Sequence, residues 1–113
     1  RTLEYLGIES QYFEDCGVAG LWRLEQRISE INACSAVIVC AGLDAALVSV
    51  LGGLTPLPIF AVPTSVGYGV AEGGHCALSA MLASCSPGVS TFNIDNGYGA
   101  ACAVSRMLGV LNR

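Results

Sequence analysis

Charge is scarce in this chain. Only 12% of its 113 residues are Asp, Glu, Lys or Arg, and five basic against nine acidic residues leave a net charge of -4. So few basic groups argue against a nucleic-acid footprint. Long hydrophobic runs are missing too, although 53% of the residues are apolar. Gly, Pro, Asp or Ser interrupts every run before the roughly 18–20 residues that a membrane-spanning helix needs, so no membrane partner is expected. The six cysteines (16, 34, 40, 76, 85, 102) include no CxxC pair, which leaves zinc and redox-motif readings without support. No P-loop lysine exists, and Gly67-Tyr68-Gly69 and the stretch Gly69 to Gly74 match the dinucleotide fingerprint poorly. No serine has a Gly-x-Ser-x-Gly setting, so a hydrolase triad is unsupported. There is no signal peptide and no initiator Met. The opening Arg1-Thr2-Leu3-Glu4-Tyr5-Leu6 reads as an excerpt from a longer protein.

What is present fits one domain, residues 1–113, with enough apolar residues for a real core. So little charge leaves too few polar groups to wet a monomer's surface, so partner subunits are expected to cover part of it. Four of the cysteines sit inside apolar runs, where a free thiol behaves as a small hydrophobe. That usage suggests a reducing compartment, the cytoplasm, rather than a disulfide scaffold.

In chain order, residues 1–6 read as a helix tail stopped by Gly7. Ile8 to Asp15 alternates weakly, as a short strand would, and Asp15 to Gly20 is a loop. Leu21, Leu24, Ile28 and Ile31 recur at helical spacing. Ala36 to Ala41 is a continuous apolar run of strand length, expected for a strand buried on both faces. Gly42-Leu43 turns it, and Asp44 stands where an N-cap would open the helix Ala45 to Leu51. Pro58 to Val62 is a second buried strand, followed by a long loop from Pro63 to Gly69. Ala71 to Ser84 reads as a helix whose start is weakened by Gly73-Gly74. Val89 to Asp95 is the last strand, and Gly99 to Leu111 the last helix. About four strand-then-helix units predict an α/β fold: three layers, α/β/α, around a parallel sheet with right-handed crossovers.

The stretch from Cys85 to Gly99 draws the eye as a site. Asn93, Asp95 and Asn96 stand at a strand's carboxyl end, where open parallel sheets place ligands. The loops Gly42-Leu43-Asp44, Pro63 to Gly69 and Asp95 to Gly99 should open on that same edge. Cys85, at the far end of a helix, should lie at the opposite edge, so a neighbouring subunit or an irregular helix end would have to bring it in. Each candidate also has an ordinary reading: Cys85 as a buried small residue, Asp44 as a cap, His75 as a solvated or packed residue at a helix start.

Four segments resemble one known family. They are Gly17-Val18-Ala19-Gly20-Leu21, Val37-Ile38-Val39-Cys40-Ala41-Gly42, Ala61-Val62-Pro63-Thr64-Ser65-Val66-Gly67-Tyr68-Gly69, and Asn93-Ile94-Asp95-Asn96-Gly97-Tyr98-Gly99-Ala100-Ala101. The family is pyridinium-3,5-biscarboxylic acid mononucleotide synthase (LarB), whose C-terminal domain is similar to the purine-biosynthetic mutase PurE. The resemblance implies a flavodoxin-like, PurE-like fold. It also implies carboxylation of the pyridinium ring of nicotinic acid adenine dinucleotide with CO2 and hydrolysis of its phosphoanhydride to release AMP. This would be the first step toward the nickel-pincer nucleotide, with homo-oligomeric (octameric) relatives. In the family the nucleophile lies in a Ser-Cys pair before the Asn-Ile-Asp-Asn-Gly strand, which here is Ser84-Cys85.

By the same resemblance Asp44 takes the place of the family's glutamate as base or proton relay. Thr64, Ser65, Tyr68 and Gly69 line the ring pocket next to Gly42. Asn93, Asp95, Asn96 and Gly97 contact ribose or shape the site, and Arg23 stands where the mutases contact phosphate. No tightly bound cofactor or protein-held metal is expected; CO2 is co-substrate, and Mg2+ would assist the hydrolysis. Mutase relatives hold a histidine at the position of Ala46, which speaks against aminoimidazole ribonucleotide chemistry. That chemistry and a non-catalytic nucleotide-binding or assembly module are the two alternatives. The family's first strand, with its Ala-Gly-Thr-Ser-Asp-like loop, and its N-terminal domain have no counterpart here. In the order 2-1-3-4-5 that strand would lie between Ile8–Asp15 and Ala36–Ala41. Either a fragment of a longer chain or a rearranged sheet is expected.

Overall fold

The computed structural model describes all 113 residues. Its centre is a three-stranded parallel sheet in the order β1 (Val37–Ala41), β2 (Ile59–Pro63), β3 (Val89–Thr91). Val37 pairs with Ile59 and Ala41 with Pro63, while Ile59 pairs with Val89. Two helices make the crossovers, α4 (Ala46–Leu54) and α5 (His75–Leu82). They pack against each other on one face, and α6 (Gly97–Leu111) covers the other with α1 (Thr2–Tyr5) against it. The three layers and the parallel sheet are those of a flavodoxin-like, PurE-like domain.

Alternation along the strands divides the core. Val39, Ile59 and Ala61 join Val48, Leu51, Ala77 and Met81 on the α4/α5 side. Leu24 and Ile31 complete that cluster from α2 (Leu21–Glu25) and α3 (Ile28–Asn32). Val62 faces the buried Ala100, Ala101 and Val104 of α6, and the rings of Phe60 and Phe92 stand 6.1 Å apart on that side. The helical spacing of Leu21, Leu24, Ile28 and Ile31 is therefore real. The helix breaks at Gln26-Arg27, where the Arg27 amide reaches back only to Leu24 O.

Four local expectations need correction. Ile8 to Asp15 is not a strand: no strand lies beside it to accept its hydrogen bonds, and Asp15 turns left-handed at φ 53°. The helix expected over Ala71 to Ser84 starts only at His75. Gly73 and Gly74 have φ of 80° and 90°, outside any right-handed helix, and Gly69–Gly74 is a short 3₁₀ segment kinked at Glu72-Gly73 instead. The last strand stops at Thr91: beyond it only the Phe92 and Asp95 amides still reach the end of β2, at Ala61 O (2.9 Å) and Pro63 O (2.8 Å), and Asp95 at φ 61° then turns the chain. The N-cap of α4 is Ala45, not Asp44, and Asp44 Oδ1 sits 3.4 Å from the Ala46 amide. Helices α4 and α6 run a little longer than expected, to Leu54 and from Gly97.

The sheet is not rearranged where a strand was expected to be missing. β1 is an edge strand, paired on one side only. A cleft of about 840 Å³ lies against it, lined by Ile8, Phe13, Val37, Val39, Ala101 and Val104 among others.

Candidate active site

At the carboxyl ends of β1 and β2 the chain is stitched into a rim. The Thr64 amide donates to Ala41 O at 3.0 Å and the Leu43 amide to Val66 O at 3.1 Å. Gly42 makes this possible: a Cβ there would lie 2.5 Å from Val66 O and 2.7 Å from Thr64 Oγ1. Asp44 follows on the exposed side of this turn and, with Gly17, Cys40 and Gly42, lines a cleft of about 560 Å³. All four non-glycine residues with left-handed backbone, Asp15, Leu43, Ala45 and Asp95, belong to this edge or its cleft. Such strain persists only where surrounding structure enforces it, and it gathers at functional sites.

Asp95 ties the third strand end to the rim, accepting a hydrogen bond from the Ser65 amide at 2.8 Å. The Ser65 hydroxyl and this amide together hold the Asp95 carboxyl below its ordinary range. A carboxylate with a lowered folded pKa contributes stability above its unfolded pKa, about 3.9, and loses it as pH falls through the folded value. Asp95→Asn should therefore melt below wild type at pH 5–7, with the gap closing as pH falls into the acid range. Because Asp95 is exposed the gap should be small; thermal melts across that range check it.

The structure thus brings Gly42, Asp44, Thr64, Ser65 and Asp95 to one edge. Tyr68 and Gly69 extend the same loop outward; Tyr68 is 80% exposed, as is nearly all of Val70, and Gly69 turns at φ 58°. Asn93, Asn96 and Gly97 form the turn into α6. Asn96 Oδ1 caps that helix by accepting from the Gly99 amide at 2.9 Å, and Asn93 O accepts the Asn96 amide. Arg23 stands behind the cleft. Its Nε donates to Asp15 O at 2.8 Å and lies 3.5 Å from Asp15 Oδ2, with the guanidinium packed on Gly20.

Cys85 is elsewhere. It follows α5 and precedes β3, so it lies at the amino edge of the sheet. The length of the strands and the first turn of α4 stand between it and the Asp44 rim: its neighbours Ser84 and Ser86 reach α4 at Ser49, five residues beyond Asp44. Its thiol is free and exposed, not packed in the core. Around it, Ser84 Oγ and Ser49 Oγ are 2.7 Å apart, Ser86 Oγ donates to Ser49 O at 2.7 Å, and the Ser86 amide donates to Ser84 Oγ at 3.2 Å. The left-handed Leu43 and Ala45 and the Ser49 contact escaped the sequence reading, since nothing in those residue types signals them.

No three His, Cys, Asp or Glu side chains converge as a metal site would require. No helix is long and apolar enough to cross a membrane. A family model described as AIR carboxylase matches residues 10–113. An uncharacterized protein of Methanocaldococcus jannaschii, MJ0165, is 38% identical over 115 aligned positions, which cover 99% of this chain and 43% of that relative. The chain thus spans less than half the length of the curated relative it matches.

Proposed function

The chain belongs to the AIR carboxylase family, and from that premise we propose that it is the PurE-like domain of an enzyme that carboxylates the pyridinium ring of nicotinic acid adenine dinucleotide with CO2 and hydrolyses its phosphoanhydride. The observation that carries this reading is Cys85, an exposed free thiol in a Ser-Cys pair just before the Asn93-Ile94-Asp95-Asn96-Gly97 stretch. A pyridinium ring is electron-poor and does not attack CO2. Addition of the Cys85 thiolate to a ring carbon forms a C–S bond and moves an electron pair toward the ring nitrogen, leaving an enamine-like dihydropyridine. The adjacent carbon then forms a C–C bond to CO2. A base removes that carbon's proton, and the C–S electrons return to sulfur as the ring becomes aromatic again. The thiolate is regenerated and nothing is oxidised or reduced overall.

Asp44 is the proposed base or proton relay, and the Thr64–Gly69 loop the ring pocket. Because Asp44 and Cys85 occupy opposite edges of one chain, the working site takes Cys85 from a neighbouring copy, in a homo-oligomer. Water attacking the phosphoanhydride releases AMP. An Mg2+ ion assisting that step would draw its ligands chiefly from substrate phosphates and water, there being no converging protein ligand set.

The family description favours a second reading, carboxylation of an aminoimidazole ribonucleotide. Against it stands Ala46, the first residue of α4, where the mutases hold a histidine. The full-length protein incubated with each substrate and CO2 separates the two. AMP and a biscarboxylated mononucleotide are expected from the dinucleotide. Turnover of the ribonucleotide alone would overturn the first reading, and binding without turnover of either would mark a non-catalytic module.

A further inference from the structure

The residues on either side of Cys85 are both fastened to one point on α4. Ser84 Oγ lies 2.7 Å from Ser49 Oγ, and Ser86 Oγ donates to Ser49 O at 2.7 Å. The Ser86 amide closes the loop on itself by donating to Ser84 Oγ at 3.2 Å. Gly52, one turn further along α4, is the floor on which Ser86 rests: a Cβ there would stand 2.6 Å from Ser86 Cβ and 2.8 Å from its Oγ. Ser49, Ser84 and Ser86 are all partly buried, while Cys85 between them is exposed. A Ser-x-Ser turn pinned at both ends cannot rotate or slide without breaking two side-chain hydrogen bonds, so the middle residue is held outward.

We infer that Ser49 is a positioning residue for Cys85: through Ser84 and Ser86 it fixes the height and direction at which the thiol is presented. This inference rests on the proposed nucleophilic role of Cys85 and deepens it. The clamp touches neither substrate nor sulfur. It acts by removing freedom from a nucleophile that must meet a ring held by another copy, where a misplacement of about 1 Å can cost on the order of 100-fold in rate. An interaction that matters only when sulfur must reach the ring shows in kcat, not in KM.

Full-length protein with Ser49→Ala should lose about 10- to 100-fold in kcat with KM within a few-fold of wild type. Ser49→Thr, which keeps the hydroxyl, should recover most of the loss. Ser84→Ala, which removes the other half of the contact and the acceptor of the Ser86 amide while leaving α4 untouched, should give at least the same kcat loss. The Ser49→Ala/Ser84→Ala double variant should be no worse than Ser84→Ala alone, because that change already removes the Ser49 contact. Hydrogen exchange at the Ser86 amide should rise in both single variants, whatever the reaction. Wild-type kcat in Ser49→Ala and Ser84→Ala, alongside a dead Cys85→Ser, would overturn the positioning role while leaving the nucleophile standing. A fully active Cys85→Ser would remove the nucleophile and the positioning role with it.

Discussion

Cys85→Ser in the full-length protein is expected to stop carboxylation of nicotinic acid adenine dinucleotide, a loss of at least ~10⁴-fold, the scale on which removing a covalent nucleophile acts. Oxygen replaces sulfur with almost no change in size, and the side chain is exposed, so folding should not suffer. What changes is the chemistry. A serine hydroxyl without an adjacent base stays protonated and adds poorly to a ring, whereas a thiol readily supplies the anion and later leaves. Substrate binding, followed by calorimetric titration, should remain within a few-fold, because the proposed ring pocket lies at the opposite edge. An unchanged rate would end the proposal. In wild type, intact-mass measurement after incubation with substrate without CO2 should find the ring on the peptide containing Cys85.

The same variant tests how the site is assembled. Each chain keeps Asp44 and Cys85 on opposite sheet edges, so a site using both must draw them from two copies. Cys85→Ser and Asp44→Asn, each expected to be inactive alone, should complement when dissociated and reassembled together. Random mixing in equal amounts leaves roughly a quarter of the sites with both groups intact if they come from different copies, and none if they come from one. Failure to complement, with mixed oligomers demonstrated, would place the chemistry within a single chain.

How far such a site can be read in advance depends on whether a residue's neighbours are near in sequence. Ala36 to Ala41 and Pro58 to Val62 announce themselves as apolar runs between turn residues, and the strands, Val37–Ala41 and Ile59–Pro63, lie within a residue of them. The loops at their carboxyl ends followed from parallel topology alone, which is why Gly42, Asp44, Thr64, Ser65 and Asp95 do share an edge. Ile8 to Asp15 carried only a weak alternation and is no strand, because alternation cannot supply a partner. Its open neighbour, the outer side of β1, is a tertiary fact. The Ser49 clamp was illegible for a related reason: its partners stand 35 and 37 positions away, and serine is at home on any helix surface. The Gly73-Gly74 pair is visible in the sequence, where it suggests only a weakened helix start. The structure uses it as a bend, and Gly74 also as a contact.

Gly74→Ala is accordingly expected to be the most damaging small substitution at the rim. Gly74 sits at φ 90°, buried, between the 3₁₀ turn and α5. A methyl group there would lie 2.8 Å from Ile94 Cγ2, 2.8 Å from Thr64 O and 3.2 Å from Ser65 Cα. Two of those three atoms are backbone and cannot turn aside as a flexible side chain would. Gly73 provides the control, since it shares the left-handed backbone at φ 80° but would meet only His75 Cδ2, at 3.9 Å. Gly73→Ala should therefore cost only the backbone strain, about 1–2 kcal/mol. Gly74→Ala adds overpacking of about 1–3 kcal/mol, for a total of about 2–5 kcal/mol. Set against a stability of about 5–15 kcal/mol for a domain, that is a fall in Tm on the order of 15 °C. Thermal melts of both variants measure the difference. Equal losses at the two positions would mean that Gly74 serves only the bend. The expected gap would mean that the packing of Gly74 against the Thr64-Ser65 backbone carries stability of its own, so that the loop proposed as the ring pocket takes its position from the helix that leads to Cys85.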